Sequence, residues 1–399
     1  VSGARGADDP ALVESLRRAA VRELRLAGET ANAAAITAVT DRLVDDERII
    51  LTAGERRELL ARVVDEALGL GPLERLLRDP EVSEVMVCAP DRVFVERRGR
   101  IAPVDVRFAD AAHVLHVVDR ILAPLGRRVD EASPMVDARL PDGSRVNVVI
   151  PPLALDGPAL TIRRFAAEAL RGDDLVRLGT LSEELLRFLG RSVRARRNIL
   201  VTGGTGSGKT TTLAALAAFI DPAERVVTIE DAAELRIPLP HVVRLESRPP
   251  SLEGRGEVSI RALVRNALRM RPDRIVVGEV RGAEALDMLT AMSTGHEGSL
   301  STLHASSPPD ALRRLQLLAT MGDVDLPYAA VADQVASAID LVVHQARLLD
   351  GRRRITSVCA LTGEGGRLVE LARWRDDTEG GELVPTPALA EAAARLAVR

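Results

Sequence analysis

Aromatic residues are nearly missing from this chain: five phenylalanines, one tyrosine and one tryptophan in 399 residues. That removes the stacking platforms on which single-stranded nucleic acid is usually bound. Cysteine is almost as scarce. Cys88 and Cys359 stand alone, no CxxC pair exists, and no zinc module is expected. Both lie in apolar, strand-like runs (Met86-Val87-Cys88 and Val358-Cys359-Ala360), which reads as buried, reduced thiols in a reducing compartment. Positive charge is not in excess: the net charge is -4 and the pI is near 6.0, which argues against a protein that coats nucleic acid. No signal peptide is expected, and no apolar run approaches the ~20 residues of a membrane span, so membrane association is expected only through partners. The start Val1-Ser2-Gly3, without methionine, is what a truncation or an expression scar leaves. Lysine is the last scarcity. Of 54 basic residues only Lys209 is a lysine, and every other one is arginine.

That lysine sits in the most informative stretch, Asn198 to Phe219. An apolar run, Ile199-Leu200-Val201, reads as a buried strand. It enters Gly203-Gly204-Thr205-Gly206-Ser207-Gly208-Lys209-Thr210-Thr211, and an alanine- and leucine-rich helix follows. This is a phosphate-binding P-loop in the strand–loop–helix context it requires. Glycines let successive backbone N–H groups turn inward around an anion, and the helix N-terminus adds its positive dipole end. Lys209 is expected to reach the β- and γ-phosphates and the Thr210 hydroxyl to ligate Mg²⁺. A planar guanidinium does not substitute for a compact ammonium in such a cradle, which accounts for the one lysine retained.

The chain should hold two or three domains. Residues 1–70 read as helical, with Leu12, Val13, Leu16, Ala19 and Ala20 at helical spacing and a capping box at Thr52-Ala53-Gly54-Glu55. Residues 71–165 read as a small α+β domain: short strands, a helix from Ala111 to Leu122, and a hairpin turned at Pro141-Asp142-Gly143. Residues 166–375 alternate strand and helix, beginning with a second capping box at Thr180-Leu181-Ser182-Glu183. This alternation predicts an α/β domain with a mostly parallel sheet covered on both faces. Arg248 to Glu257, rich in Pro, Gly and charge, is expected to be a mobile loop. Residues 376–399 form an alanine-rich tail.

Three strands should end on the edge that carries the P-loop. Arg225 to Ile229 runs into Glu230-Asp231, Ile275 to Gly278 into Glu279, and Ser299 to Leu303 into His304. A carboxylate there can orient water for attack on a γ-phosphate or hold the metal's shell. A generic Walker B motif has aspartate after its apolar run. Here that position is Gly278 and the acid, Glu279, follows. His304 fits a structural histidine and a site residue equally well.

Ile229-Glu230-Asp231-Ala232-Ala233-Glu234-Leu235 resembles the aspartate box of secretion ATPases. Arg269 to Gly282 resembles their Walker B region, including the glycine before the glutamate, and Thr294 to Ala305 resembles their histidine box. With the P-loop, four boxes in this order are similar to the type II/type IV secretion traffic ATPases, in particular the CpaF-type branch that powers Tad (Flp) pilus assembly. The similarity runs from about Leu70 to about Val343. Ser293 and Glu297 depart from it, standing where asparagine and aspartate are expected. The resemblance implies a RecA-like ATPase domain behind an α/β N-terminal domain, assembled as a homohexamer that uses ATP and Mg²⁺. It implies Glu230 as catalytic base, Glu279 as acting on the metal directly or through water, and His304 as γ-phosphate sensor. It also implies phosphate contacts from N-terminal-domain arginines in the region of Arg139, Arg145, Arg163 and Arg164.

The function these readings imply is a cytoplasmic ATPase motor working on inner-membrane pilus or secretion platform proteins, with no direct nucleic-acid contact. Extension and retraction stay open. A nucleic-acid translocating ATPase on the same core is disfavoured by charge and by the lack of aromatics. A signalling GTPase is disfavoured because its base-reading Asn-Lys-x-Asp needs a second lysine. A slow, nucleotide-bound assembly scaffold is the non-enzymatic alternative.

Overall fold

Three helices in succession begin on a side-chain cap. Asp9 accepts from the Ala11 N–H at 2.9 Å before α1 (Pro10–Leu26), and Asn32 from the Ala35 N–H at 3.0 Å before α2 (Ala33–Asp46). Thr52 and Glu55 form the reciprocal box expected at the start of α3 (Ala53–Leu68). Leu12, Leu16, Ile36, Leu59 and Val63 bury the inner stripe of this bundle. The computed structural model describes residues 9–164, 170–248, 255–322, 326–362, 366–375 and 382–397. The chain divides into two compact units, Val1–Ala166 and Ala167–Arg399.

In the first unit, α4 (Glu74–Arg78) leads into β1 (Val82–Ala89), β2 (Arg92–Arg97) and β3 (Arg100–Val104). Then come α5 (Ala111–Leu122), β4 (Met135–Arg139), β5 (Arg145–Val149) and β6 (Ala159–Arg163). The six strands form an antiparallel sheet in the order β3-β2-β1-β6-β5-β4. The core-facing side of α5 (Val114, Val117, Val118, Ile121) shares one core with Val85, Val87, Val146, Val148 and Ile162 of the sheet. Alternation along β1 turns Val85, Val87 and Ala89 inward, so Cys88 is exposed, contrary to its expected burial; Cys359 is buried as expected.

The second unit begins with α6 (Gly172–Arg177), α7 (Glu183–Arg194) and β7 (Ile199–Gly203), followed by α8 (Lys209–Ala217), β8 (Val226–Glu230) and β9 (Val242–Glu246). It continues with α9 (Ile260–Ala267), β10 (Arg274–Val280), α10 (Glu284–Ser293) and β11 (Leu300–His304). α11 (Pro308–Thr320) and α12 (Tyr328–Ala338) precede β12 (Leu341–Arg347), β13 (Arg353–Thr362), β14 (Arg367–Arg375), β15 (Glu382–Pro385) and α13 (Pro387–Ala397). The cap of α7 is Ser182, which accepts from the Leu185 N–H at 3.2 Å; Thr180 instead closes the preceding turn onto the Leu175 carbonyl. Part of the loop expected at 248–257 lies outside the described residues.

Nine strands lie in the order β15-β14-β13-β12-β7-β11-β10-β8-β9. From β12 to β9 every neighbour pair is parallel, and β13, β14 and β15 extend the sheet antiparallel. Ile199 and Val201 enter a core shared with α7 and α8, while Leu200 between them enters a core shared with α9 to α12. Both faces are therefore covered, which is why the central strands read as unbroken apolar runs. The entrance to β7 is pinned by Asn198. Its amide donates to the Met292 and Ala338 carbonyls (3.0 and 2.6 Å) and accepts from the N–H groups of Gly298 and Ser299 (2.7 and 3.0 Å).

Candidate active site

The parallel register sets the site. Gly203, at the end of β7, lies opposite His304 of β11 on one side and Gln345 of β12 on the other. Its φ of 152° and the Gln345 carbonyl pressed against it leave no room for a Cβ. Gly206 and Gly208 have φ of 70° and 95°, and Gly208 caps α8. The loop from Gly203 to Gly208 is thus wound so that its amides meet the N-terminus of α8, with the half-buried Thr210 and Thr211 in the first helical turn. Ser207 donates to the Gly204 carbonyl at 2.9 Å, and Gly204, Thr205 and Gly206 form the loop's exposed crest.

Lys209 is buried. Its Nζ donates to the Gly204 carbonyl at 3.0 Å and lies 3.3 Å from His304 Nε2. Burial lowers its pKa, with Glu279 opposing the shift. His304 Nε2 is also 2.8 Å from Glu279 Oε1. Burial, then the Lys209 charge, holds the imidazole's pKa below its ordinary value. Glu279 Oε2 accepts from Arg281 Nε at 2.8 Å, and Arg281 Nη1 lies 3.2 Å from Asp231 Oδ2. Arg281 is held in turn by its own N–H, which donates to the buried Glu284 carboxylate at 2.6 Å. Asp231, Arg281, Glu279, His304 and Lys209 therefore form one continuous chain of polar contacts ending on the P-loop.

Glu230 closes the group. It is 3% exposed, and its Oε2 accepts from the N–H groups of Glu234 and Leu235 at 2.8 and 2.9 Å. Its Oε1 is buried without a hydrogen-bond partner. Burial raises its pKa from the ordinary 4.5 to about 7, and the two backbone bonds only partly oppose this. A Cβ on Gly278 would stand 2.7 Å from Glu230 Cγ. That contact explains the glycine where a generic Walker B motif carries aspartate: the adjacent acid occupies the space.

The structure brings Lys209, His304 and Glu279 into contact and places Glu230 against Gly278, the residue before Glu279. The four arginines lie in the first unit. Arg139, Arg145 and Arg163 are directly opposite one another across β4, β5 and β6, with Glu84 of β1 next in the row. Arg164, one residue on, points its Nη1 at the Val82 carbonyl (3.0 Å) and that of Asp79. Sequence reading gave no role to Arg281, although a cation two residues beyond a strand-end acid was a usable signal. It also missed Gln345, whose Oε1 accepts from Thr212 at 2.7 Å, and Arg353, whose Nε donates to the Gly206 carbonyl at 3.1 Å. No local pattern points to either.

Among the described residues no cluster of three or more acidic, His or Cys side chains could hold a metal ion. Mg²⁺ does not need one, since it is commonly held by a hydroxyl or carboxylate together with the substrate's phosphates and water. Thr210 and Glu279 fit that pattern, and the glycine-wound loop with buried Lys209 fits a polyphosphate.

The sheet order, the P-loop and the acids at the parallel strand ends define a RecA-like P-loop ATPase fold. The chain belongs to the type II/IV secretion system protein family, whose profile matches residues 66–372. It is 42% identical over 320 residues to a putative conjugal transfer protein of Mycobacterium tuberculosis strain H37Rv, covering 78% of this chain and 90% of that one. It is 36% identical over 323 residues to the type IV secretion system protein PtlH of Bordetella pertussis, covering 72% and 93%. The X-ray structure of the Legionella pneumophila ATPase DotB shares the fold, with a TM-score of 0.53 at 24% identity over 73% of this chain and 80% of that one. No helix among the described residues is long and apolar enough to cross a membrane.

Proposed function

We propose that this chain is a Mg-ATP-hydrolysing motor of the CpaF-type branch that powers assembly of a Tad/Flp-type pilus, or related secretion, from the cytoplasmic side of the inner membrane. The observation that carries the reading is the convergence of Lys209, His304, Glu279 and the buried Glu230 on the edge where Gly203 to Gly208 form the phosphate cradle. Gly203, Gly204, Thr205, Gly206, Ser207 and Gly208 wrap the phosphates with backbone amides, Lys209 neutralises the β- and γ-oxygens, and Thr211 supports the first helical turn. Thr210, and Glu279 directly or through water, would hold Mg²⁺, which would supply positive charge to the phosphate oxygens. Glu230 takes the proton of the attacking water on its unpartnered Oε1, a task suited to a carboxylate with a pKa near 7. His304, in contact with Lys209 and Glu279, reports the γ-phosphate to β11.

By the family resemblance, Arg139, Arg145 and Arg163 are the arginines assigned to phosphate contact; Arg164 is engaged by backbone carbonyls within its own sheet. The working form is a homo-oligomer, a hexamer, coupled to membrane platform proteins. The 42% identity to a putative conjugal transfer protein supports a second reading, transfer of cargo through a type IV secretion channel. Replacing the chromosomal copy with Lys209→Ala separates the two. Loss of surface pili with normal pilin levels is expected, whereas intact pili with lost conjugal transfer would favour the second reading.

A further inference from the structure

We propose that the β12–β13 hairpin, through Arg353 and Arg347, forms the nucleobase platform of the site; this rests on the nucleotide-binding reading above. Every acid and imidazole of the site lies on one side of the P-loop strand, at the ends of β11, β10 and β8. Lys209 leans to that side, 3.3 Å from His304, so the γ-phosphate end of a bound nucleotide lies there. On the other side of β7 is β12, and its hairpin with β13 is placed at the opposite, nucleoside end of the cradle.

Two arginines of that hairpin flank the loop. Arg353 Nε donates to the Gly206 carbonyl at 3.1 Å, and its Cδ stands 3.1 Å from the Cβ position of Gly208. Arg347 Nη1 is 3.7 Å from the Cβ position of Gly206. Both side chains are exposed beside the loop's exposed crest. The hairpin that carries them is short and closed, with the Leu348 N–H donating to the Arg352 carbonyl at 2.8 Å.

The aromatic rings described in this unit are engaged elsewhere. Phe188, on α7, is buried in the core, and Phe219 packs against Gly172 and Gly190 under the Arg194 guanidinium. The Tyr328 hydroxyl donates to Gln316, and Trp374 lies on β14, separated from β12 by β13 in the sheet order. A purine at the hairpin side therefore meets guanidinium planes rather than rings. Arginine stacks on a π-face where lysine offers only a point charge. Arg353, anchored through Nε, is the fixed member of the pair, and Arg347 is the second face.

Calorimetric titration of the full chain with ADP and with inorganic tripolyphosphate tests this. Arg353→Ala should weaken ADP binding about tenfold, and the double variant with Arg347→Ala further, while tripolyphosphate affinity stays within about twofold. Arg353→Lys should behave as Arg353→Ala. The neighbouring Arg352→Ala, which breaks only an exposed pair with Asp350, should leave ADP affinity unchanged. The assignment is overturned by unchanged ADP affinity in the double variant, by an equal loss for tripolyphosphate, or by rescue with lysine. A wild-type chain that binds neither ligand would instead sink the nucleotide reading itself.

Discussion

Replacing Glu230 with glutamine should lower activity and raise stability at the same time, and the stability gain should depend on pH. The folded protein holds the Glu230 proton up to about pH 7, whereas the unfolded chain releases it near 4.5. Between those values the unfolded state binds fewer protons than the folded one, so the wild type loses stability as pH rises from about 4.5 to about 7 and then levels off. The shift corresponds to about 3 kcal/mol at pH 8. A glutamine side chain carries no charge to bury, and its carbonyl oxygen can accept both N–H groups, from Glu234 and Leu235, that Oε2 accepts now. Glu230→Gln should therefore melt some ~6–12 °C above wild type at pH 8, and close to wild type at pH 5. Turnover should fall by ~10²–10⁴ for loss of a general base. Scanning calorimetry of nucleotide-free protein at both pH values, beside phosphate release, reads both effects. A melting shift equal at pH 5 and pH 8, or full turnover in the variant, would refute the reasoning.

Gly278→Ala places a methyl group 2.7 Å from Glu230 Cγ; turnover should drop about 10² through displacement of the base, with ADP affinity unchanged by titration. Arg281→Ala releases Glu279 Oε2 and Asp231 from their shared guanidinium. About a tenfold loss in kcat is expected, and Arg281→Lys should not restore it because an ammonium cannot bridge both acids in one plane. Asn198→Ala removes four buried hydrogen bonds at the start of β7 and should cost about 3 kcal/mol or more in denaturant unfolding, with a fall in melting temperature.

What the sequence made legible was local or periodic. The P-loop is contiguous, so its strand, turn and helix could be read from residues 198 to 219 alone. Glu230, Glu279 and His304 followed from one rule, that parallel strands deliver their carboxyl ends to one edge, and the register of Gly203 with His304 obeys it. The reason for Gly278 was hidden because it is a packing contact between two strands far apart in the chain. Arg353 was hidden for the same reason, since only the β12–β13 hairpin returns it to Gly206. Cys88 was misjudged because an apolar run does not say which alternate residues face inward, and the Thr180 cap was displaced because Ser182 competes for the same role two residues later.

We propose turnover of Mg-ATP by a self-assembling ring whose chemistry needs Lys209 and Glu230. Phosphate release across a protein-concentration series, with Lys209→Ala and Glu230→Gln alongside, tests it most directly. A specific activity that rises with concentration and vanishes in both variants is the predicted result. Tight ATP binding without turnover, or turnover that persists in either variant, would contradict it.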